Sequence, residues 1–351
     1  MDILILGNGF DLAHGLKTRY TDFLDYWKKD NNVENVWLKH FVNRQKQLGD
    51  KWIDLEEEIY NVIGFINLSF SSNPNVAISK IYSFQKGCTD ETFALNKIKK
   101  ELISFHNIET DEKEYGKIEN DMPTYYFKTY KGLINFLYDQ LRDFTKQFNK
   151  YLSSQVLPNI GIKEYKFNLS KDKEIRVLNF NYTNTYEKLY DPHSIYTDAN
   201  PKYVYVHGKA CDSDDCNLIL GTKSFYNHLP NDLREEINVE FNVFKKHNQR
   251  HRYGTIEAYQ ELLNELIEQL RTFIPVFHII GHSLDKSDYN ILRHIFRVRE
   301  RSIINIYYHN QEALERLINN ITEIIGEEEV MAKVRFIHQE DPNRGILIPK
   351  K

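Results

Sequence analysis

The chain predicts an α/β fold, a doubly wound parallel sheet with helical insertions. Three observations lead there. The opening stretch Met1-Asp-Ile-Leu-Ile-Leu-Gly-Asn-Gly-Phe-Asp-Leu-Ala-His-Gly15 runs from a short apolar strand through a glycine pair into a helical pattern. In the second half, β-branched apolar runs alternate with helical ones, the order that gives parallel strands covered on both faces. Between these parts lie long stretches of helical periodicity without a strand, which read as insertions.

Taken in order, Ile3 to Leu6 is a buried-type strand, and Gly7 and Gly9 follow it. Lacking a β-carbon, both glycines allow the backbone to approach a pyrophosphate, while the next helix presents unpaired N–H groups and the positive end of its dipole. The spacing departs from the Gly-x-Gly-x-x-Gly of hydride-transfer enzymes, because Leu12 stands at the third glycine and the next glycine is Gly15. Tyr20, Phe23, Leu24 and Trp27 recur at helical spacing, and Val36, Trp37 and Phe41 start another helix. Trp52, Leu55, Ile59, Val62 and Ile63 form a third apolar stripe, with Glu56 on that face and Glu57 and Glu58 pointing elsewhere. A carboxylate on an apolar face is costly unless used or paired, so Glu56 is either a functional group or half of an ion pair with an arginine.

Residues 64–131 carry little periodicity. Leu133, Leu137, Leu141, Phe144, Phe148 and Leu152 then mark one long amphipathic helix. Its aromatic stripe packs into a core or, alternatively, docks a partner or a second copy as a homo-oligomer. Strands are expected at 175–180, 203–206, 275–280, 303–307 and 334–337. This divides the chain into a sheet core at 1–30 and 172–351, a mostly helical insertion at 31–171, and a second helical insertion at 222–272. The second insertion contains Lys245-Lys-His-Asn-Gln-Arg-His-Arg252, a dense basic cluster that reads as a solvated helix face.

The formal charge of -4 argues against a protein that coats nucleic acid. No apolar run approaches the roughly eighteen residues of a membrane span, and the Ile3–Leu6 run is too short for a signal peptide, so a cytoplasmic protein without membrane partners is expected. Cys88, Cys211 and Cys216 are too few for a disulfide framework. Cys211 and Cys216 lack the second pair of a zinc site, so free thiols and no metal are expected.

In an open parallel sheet, ligands bind at the carboxyl ends of the strands. Four turns in this chain follow strands, and their residues converge as a candidate nucleotide site: Gly7, Asn8, Gly9, Phe10, Asp11 and Gly15; Asn181 and Thr183; His207 and Gly208; Gly281, His282, Ser283 and Asp285. His207 has the ordinary pKa, near 6.5, of a general base at neutral pH, and the Asn181 amide can both give and accept a hydrogen bond to a water. The plain alternatives are a histidine at a strand end and an Asx turn. Asp11 is read as a helix cap or a ribose contact. Asp285, Ser287 and Asp288 form an N-cap cluster for the helix through Ile291, Leu292, Ile295 and Phe296, with Asp288 assigned the cap. His14 and His282 are minor candidates beside glycines.

Gly7-x-Gly9, Gly15, Leu16 and Arg19 or Tyr20 reproduce the spacing of the first nucleotide-binding motif of the sirtuin fold. Asn181-Tyr-Thr-Asn-Thr-Tyr-Glu187 resembles its Asn-x-Asp…Glu segment, Val206-His-Gly208 its catalytic His-Gly, and Ile280-Gly-His-Ser-Leu284 its late Gly-Thr-Ser-Leu loop. With Trp52-Ile-Asp-Leu-Glu56 and the Gly281-His-Ser-Leu-Asp-x-x-Asp288 segment, the whole chain resembles the AbiH family, bacterial proteins of abortive phage infection related to sirtuin-like NAD-cleaving enzymes. The resemblance implies a sirtuin-like Rossmann core that binds NAD as substrate and hydrolyses its N-glycosidic bond, depleting the infected cell. It also implies that Asn181 and His207 form the catalytic pair. Thr183 stands where sirtuins carry the aspartate that holds the nicotinamide carboxamide, which opens the site to another adenine nucleotide such as ADP-ribose. The rival function is a non-catalytic nucleotide sensor or interaction module whose helical insertions engage a phage or host protein. A nucleic-acid target reached through Lys245 to Arg252 is a third reading, disfavoured by the acidic balance.

Overall fold

The computed structural model describes residues 2–29, 35–48, 54–69, 115–118, 124–127, 130–162, 165–167, 175–191, 203–213, 217–222, 239–269, 274–298, 301–341 and 344–349. The chain divides into two compact units. One comprises Met1–Phe23, Phe148–Ile219 and Gln249–Lys351, the other Leu24–Gln147 and Leu220–Asn248.

The first unit holds a six-stranded sheet. Its strands are β1 (Asp2–Leu6), β2 (Ile175–Asn179), β3 (Tyr203–Tyr205), β4 (Val276–Ile280), β5 (Ile303–Tyr308) and β6 (Val334–His338). They lie in the order β3-β2-β1-β4-β5-β6, and every neighbouring pair is parallel. Strands buried on both faces read as unbroken apolar runs, and the Ile3–Leu6 run is of this kind. Alternation sends Ile3 and Ile5 to one face and Leu4 and Leu6 to the other, and each pair joins a separate core. The α/β expectation is met as a Rossmann-like fold, with strand order reversing between β1 and β4. The crevice at that switch point is where such sheets bind ligands.

The described helices are α1 (Asn8–Ala13), α2 (Tyr20–Trp27), α3 (Val36–Leu48), α4 (Leu55–Ser69), α5 (Tyr130–Tyr151), α6 (Thr185–Tyr190), α7 (Lys246–Arg252), α8 (Thr255–Gln269), α9 (Tyr289–Arg297), α10 (Gln311–Ile325) and α11 (Glu327–Lys333). The core on the Ile3 face takes Leu262 and Leu266 of α8, Leu292 and Ile295 of α9, and Leu317 and Ile321 of α10. Helix α8 is therefore part of the sheet unit, although the sequence places it in the second insertion. Its helical period is the same in either setting, and only the tertiary packing of its apolar stripe decides where it belongs. The other face is covered by Phe10 of α1 and Tyr186 of α6, among others.

In the second unit, Asn35 caps α3 by accepting from the N–H groups of Trp37 and Leu38 at 3.0 and 3.1 Å. Trp37 stacks on Phe41, which meets Phe144 edge-on, and the Trp37 indole N–H donates to the Leu137 carbonyl at 2.8 Å. The α4 stripe corrects the sequence reading. Asp54 caps the helix by accepting from the N–H groups of Glu56 and Glu57. The helix thus starts at Leu55, and the buried stripe is Leu55, Glu58, Ile59 and Val62, while Trp52 lies outside the described residues. Glu58, not Glu56, is the buried carboxylate, taken up by Arg44 at 2.9 Å and His40 at 3.3 Å. Glu56 lies half-buried and pairs with a lysine, Lys246, at 2.6 Å. The basic cluster differs from a solvated face as well, because Lys245, Lys246 and Arg250 are all buried. Most of the stretch 64–131 lies outside the described residues, as does Cys216, while Cys211 carries a free thiol. Among the described residues no helix is long and apolar enough to cross a membrane.

Candidate active site at the sheet switch point

The turns after β1 and β4 are joined by their backbones. Gly7 N–H donates to the Ile280 carbonyl at 3.0 Å, and Gly9 N–H donates to the Gly281 carbonyl at 2.8 Å. A β-carbon on Gly9 would lie 2.8 Å from Gly281 Cα, and one on Gly7 would lie 2.7 Å from the Gly281 oxygen. Both glycines are thus required by the contact between the two turns, before any ligand is considered. Gly281 itself has φ of 66°, a left-handed conformation that L side chains avoid.

The turn after β2 is tied to the same place. The Asn181 amide donates to the Gly7 carbonyl at 3.0 Å, so this side chain bridges two of the four turns. Asn179 shapes the turn, accepting from Asn181 N–H at 2.9 Å and donating to the Thr183 carbonyl at 2.9 Å. The Asx role falls not to Asn181 but to Asn179, the strand-end residue two positions earlier. Asp11 neither caps α1, which has no side-chain cap, nor faces solvent. Its Oδ2 accepts from the Thr183 hydroxyl at 2.5 Å, and burial pushes its carboxyl up to about 6 against the lowering effect of the threonine hydroxyls.

His207 emerges from β3, its carbonyl accepting from Ile219 N–H at 2.8 Å, and its ring is buried. Nε2 lies 3.3 Å from Oδ1 of Asp288. The same oxygen accepts from Arg250 Nη2 at 3.0 Å, while His282 Nε2 stands 3.8 Å from Oδ2. The His282 ring meets Phe180 edge-on at 4.3 Å, and Phe180 in turn meets His207 at 5.6 Å. His282 Nδ1 accepts from Leu284 N–H at 2.9 Å, which places the proton of the neutral ring on Nε2, facing Asp288. A buried carboxylate is thus surrounded by an arginine and two histidines at the carboxyl end of the sheet. Among the described residues no cluster has the make-up of a metal site.

Asp288 does not form the cap that its position predicts. Asp285 caps the short 3-10 turn Lys286–Asp288 that leads into α9, its carboxylate accepting from Ser287 N–H at 3.1 Å, whereas Asp288, at the N-cap position of α9, makes no cap bond and turns inward. Two aspartates three apart at one helix start are more than a single cap requires, and that redundancy is the available sequence signal. For Arg250 the only signal is its membership of the basic cluster.

The structure therefore brings together Gly7, Gly9, Asn181, His207, Gly281 and His282. The side chains or backbones of the other candidates are engaged in other contacts. Asn8 accepts from the Thr18 hydroxyl at 2.5 Å, Phe10 is core, and Gly15 terminates α1 with φ of 79°. Ser283 and Asp285 are exposed, and Ser283 is held through its carbonyl by Asn320. Gly208 has φ of 82° and bends the chain after His207. His14 is fixed between the Phe10 carbonyl at 2.7 Å and the Tyr190 hydroxyl at 2.6 Å, and burial lowers its pKa.

The family model for bacteriophage abortive infection AbiH matches residues 3–309, a span that includes all four turns. The chain belongs to the AbiH family. Membership gives it a role in abortive infection against bacteriophage. No curated protein matches the chain.

Proposed function

We propose that this AbiH family member hydrolyses the N-glycosidic bond of NAD+, releasing nicotinamide and ADP-ribose and so depleting the infected cell. The observation that supports this most is the contact between His207 Nε2 and Asp288 Oδ1, 3.3 Å, at the carboxyl end of the sheet. A carboxylate at Nε2 holds the imidazole proton there and makes Nδ1 the basic nitrogen, the orientation logic of acid–base triads. In the reaction the bond between C1′ and the nicotinamide nitrogen breaks with its electrons on the base, which leaves neutral. Water oxygen bonds to C1′ and its proton passes to His207. Because positive charge grows on the sugar, a positioned water and a base are the chief demands on the protein. Asn181, anchored to the Gly7 carbonyl, would fix the turns that surround the ribose.

The test is incubation of the purified full chain with NAD+ and chromatography of the products. Nicotinamide with ADP-ribose is expected, and H207Q should lower the rate by roughly a hundred- to ten-thousand-fold while the protein stays folded. A wild-type chain that leaves NAD+ intact sinks the reading. A second reading, a non-catalytic sensor of NAD or ADP-ribose, is favoured by one Asn181 amide N–H being committed to the Gly7 carbonyl. It predicts a ligand-induced rise in melting temperature without turnover.

A further inference from the structure

We propose that Arg250 is a positioning residue that keeps His207 neutral, and therefore basic, by balancing the charge of Asp288; this rests on the reading of His207 as the base. A buried carboxylate beside an imidazole favours the imidazolium. An imidazolium has no lone pair with which to take a proton from water. Asp288 alone would thus orient His207 and at the same time disable it. Arg250 removes that conflict. Its side chain is buried, and its guanidinium donates to Oδ1 at 3.0 Å, the same oxygen that lies 3.3 Å from His207 Nε2. Because a guanidinium is charged at every relevant pH, the pair carries no net charge beside the ring, while the carboxylate oxygen still fixes the tautomer.

Among the groups that face His207 within the sheet unit are four from different elements. Asp288 belongs to the turn ahead of α9, Arg250 to α7, His282 to the turn after β4, and Tyr182 to the turn after β2 with its ring 6.1 Å away. The His282 nitrogen that accepts from Leu284 N–H carries no proton, so that ring is neutral, and the Tyr182 hydroxyl donates to the Ile219 carbonyl at 2.8 Å. Asp288 and Arg250 thus set opposite charges against His207. A neutral polar side chain at position 250 could satisfy Asp288 by hydrogen bonding but could not balance it.

The experiment follows the His207 ring by NMR through a pH titration of the full chain, assigned by the signal lost in H207Q. In R250M the midpoint should rise by about one pH unit or more, because the carboxylate is then unbalanced. R250K, which retains the charge, should titrate close to wild type. Should R250M fail to fold, the decision falls to D288N and the double variant D288N/R250M: adding R250M then removes a cation from beside the ring and should raise the midpoint. Where NAD+ is cleaved, the acid limb of kcat/KM should move upward in R250M by the same amount, restoring activity at alkaline pH. An unmoved or lowered midpoint in R250M, a shift in R250K as large as in R250M, or no rise on adding R250M to D288N overturns the proposal. A chain that shows the NMR shift but cleaves no NAD+ removes the proposed reaction and leaves the electrostatic role of Arg250 in place.

Discussion

Replacing Asp11 with asparagine should stabilise the protein, and by an amount that depends on pH. Asp11 is fully buried, and desolvation raises its carboxyl from 3.8 to about 6, with the hydroxyls of Thr183 and Thr185 acting in the opposite direction. One carboxylate oxygen accepts from Thr183, and the other has no hydrogen-bond partner. An acid whose pKa is raised on folding contributes stability that is complete below the unfolded value and is lost as pH rises through the folded one. At 1.36 kcal/mol per pH unit, the gap between 3.8 and about 6 is worth roughly 3 kcal/mol at pH 8. Asparagine copies the neutral acid and still accepts from Thr183, so D11N should be more stable than wild type by about that amount at pH 8. At pH 5 the advantage should shrink by about half, since the wild-type carboxyl is then largely protonated only in the folded chain. Urea denaturation of both proteins at the two pH values measures the difference directly. A D11N effect that is the same at pH 5 and pH 8, or a loss of stability at pH 8, refutes the account of Asp11 as a buried carboxylate held against its solvation.

Three further outcomes test the site's construction. G9A should lose roughly 1–3 kcal/mol of stability by denaturant titration, because the new β-carbon meets Gly281 Cα at 2.8 Å; a variant as stable as wild type would mean that the β1 and β4 turns do not touch as described. D285A should cost about 1 kcal/mol as a lost cap and leave the His207 titration unmoved, whereas D288N should alter that titration, so the two aspartates separate in one NMR experiment. E58Q should destabilise the chain by about 3 kcal/mol, since it leaves Arg44 and His40 facing an uncharged group, while E58Q measured within 0.5 kcal/mol of wild type would show the pair to be dispensable.

The amino-acid sequence by itself determined the six strands of the main sheet, their parallel pairing and the turns that follow them, but not the short antiparallel pairs Tyr115–Ile118 with Thr124–Phe127 and Tyr165–Phe167 with Leu347–Pro349. Apolar runs such as Ile3–Leu6 and Phe277–Ile280 admit little but buried parallel strands, and the glycines at 7, 9 and 281 mark the turns that follow them. These signals are local, a period of two or a missing β-carbon, and so they survive without knowledge of the fold. What the tertiary structure alone decided were the meetings of residues far apart in the chain. Arg250 and Asp288 are separated by 38 positions, and neither carries a pattern that announces the other. Glycine pairs look alike whether they admit a phosphate or a neighbouring turn, and the contact of Gly9 with Gly281 distinguishes the two only in three dimensions. The face of α4 that is buried depended on where its cap lies, because moving a helix start by a few residues rotates the stripe from Glu56 to Glu58. Charge settles last for the same reason: a lysine, arginine or aspartate has the same identity in solvent and in a core, and only packing removes the water that makes its partner matter.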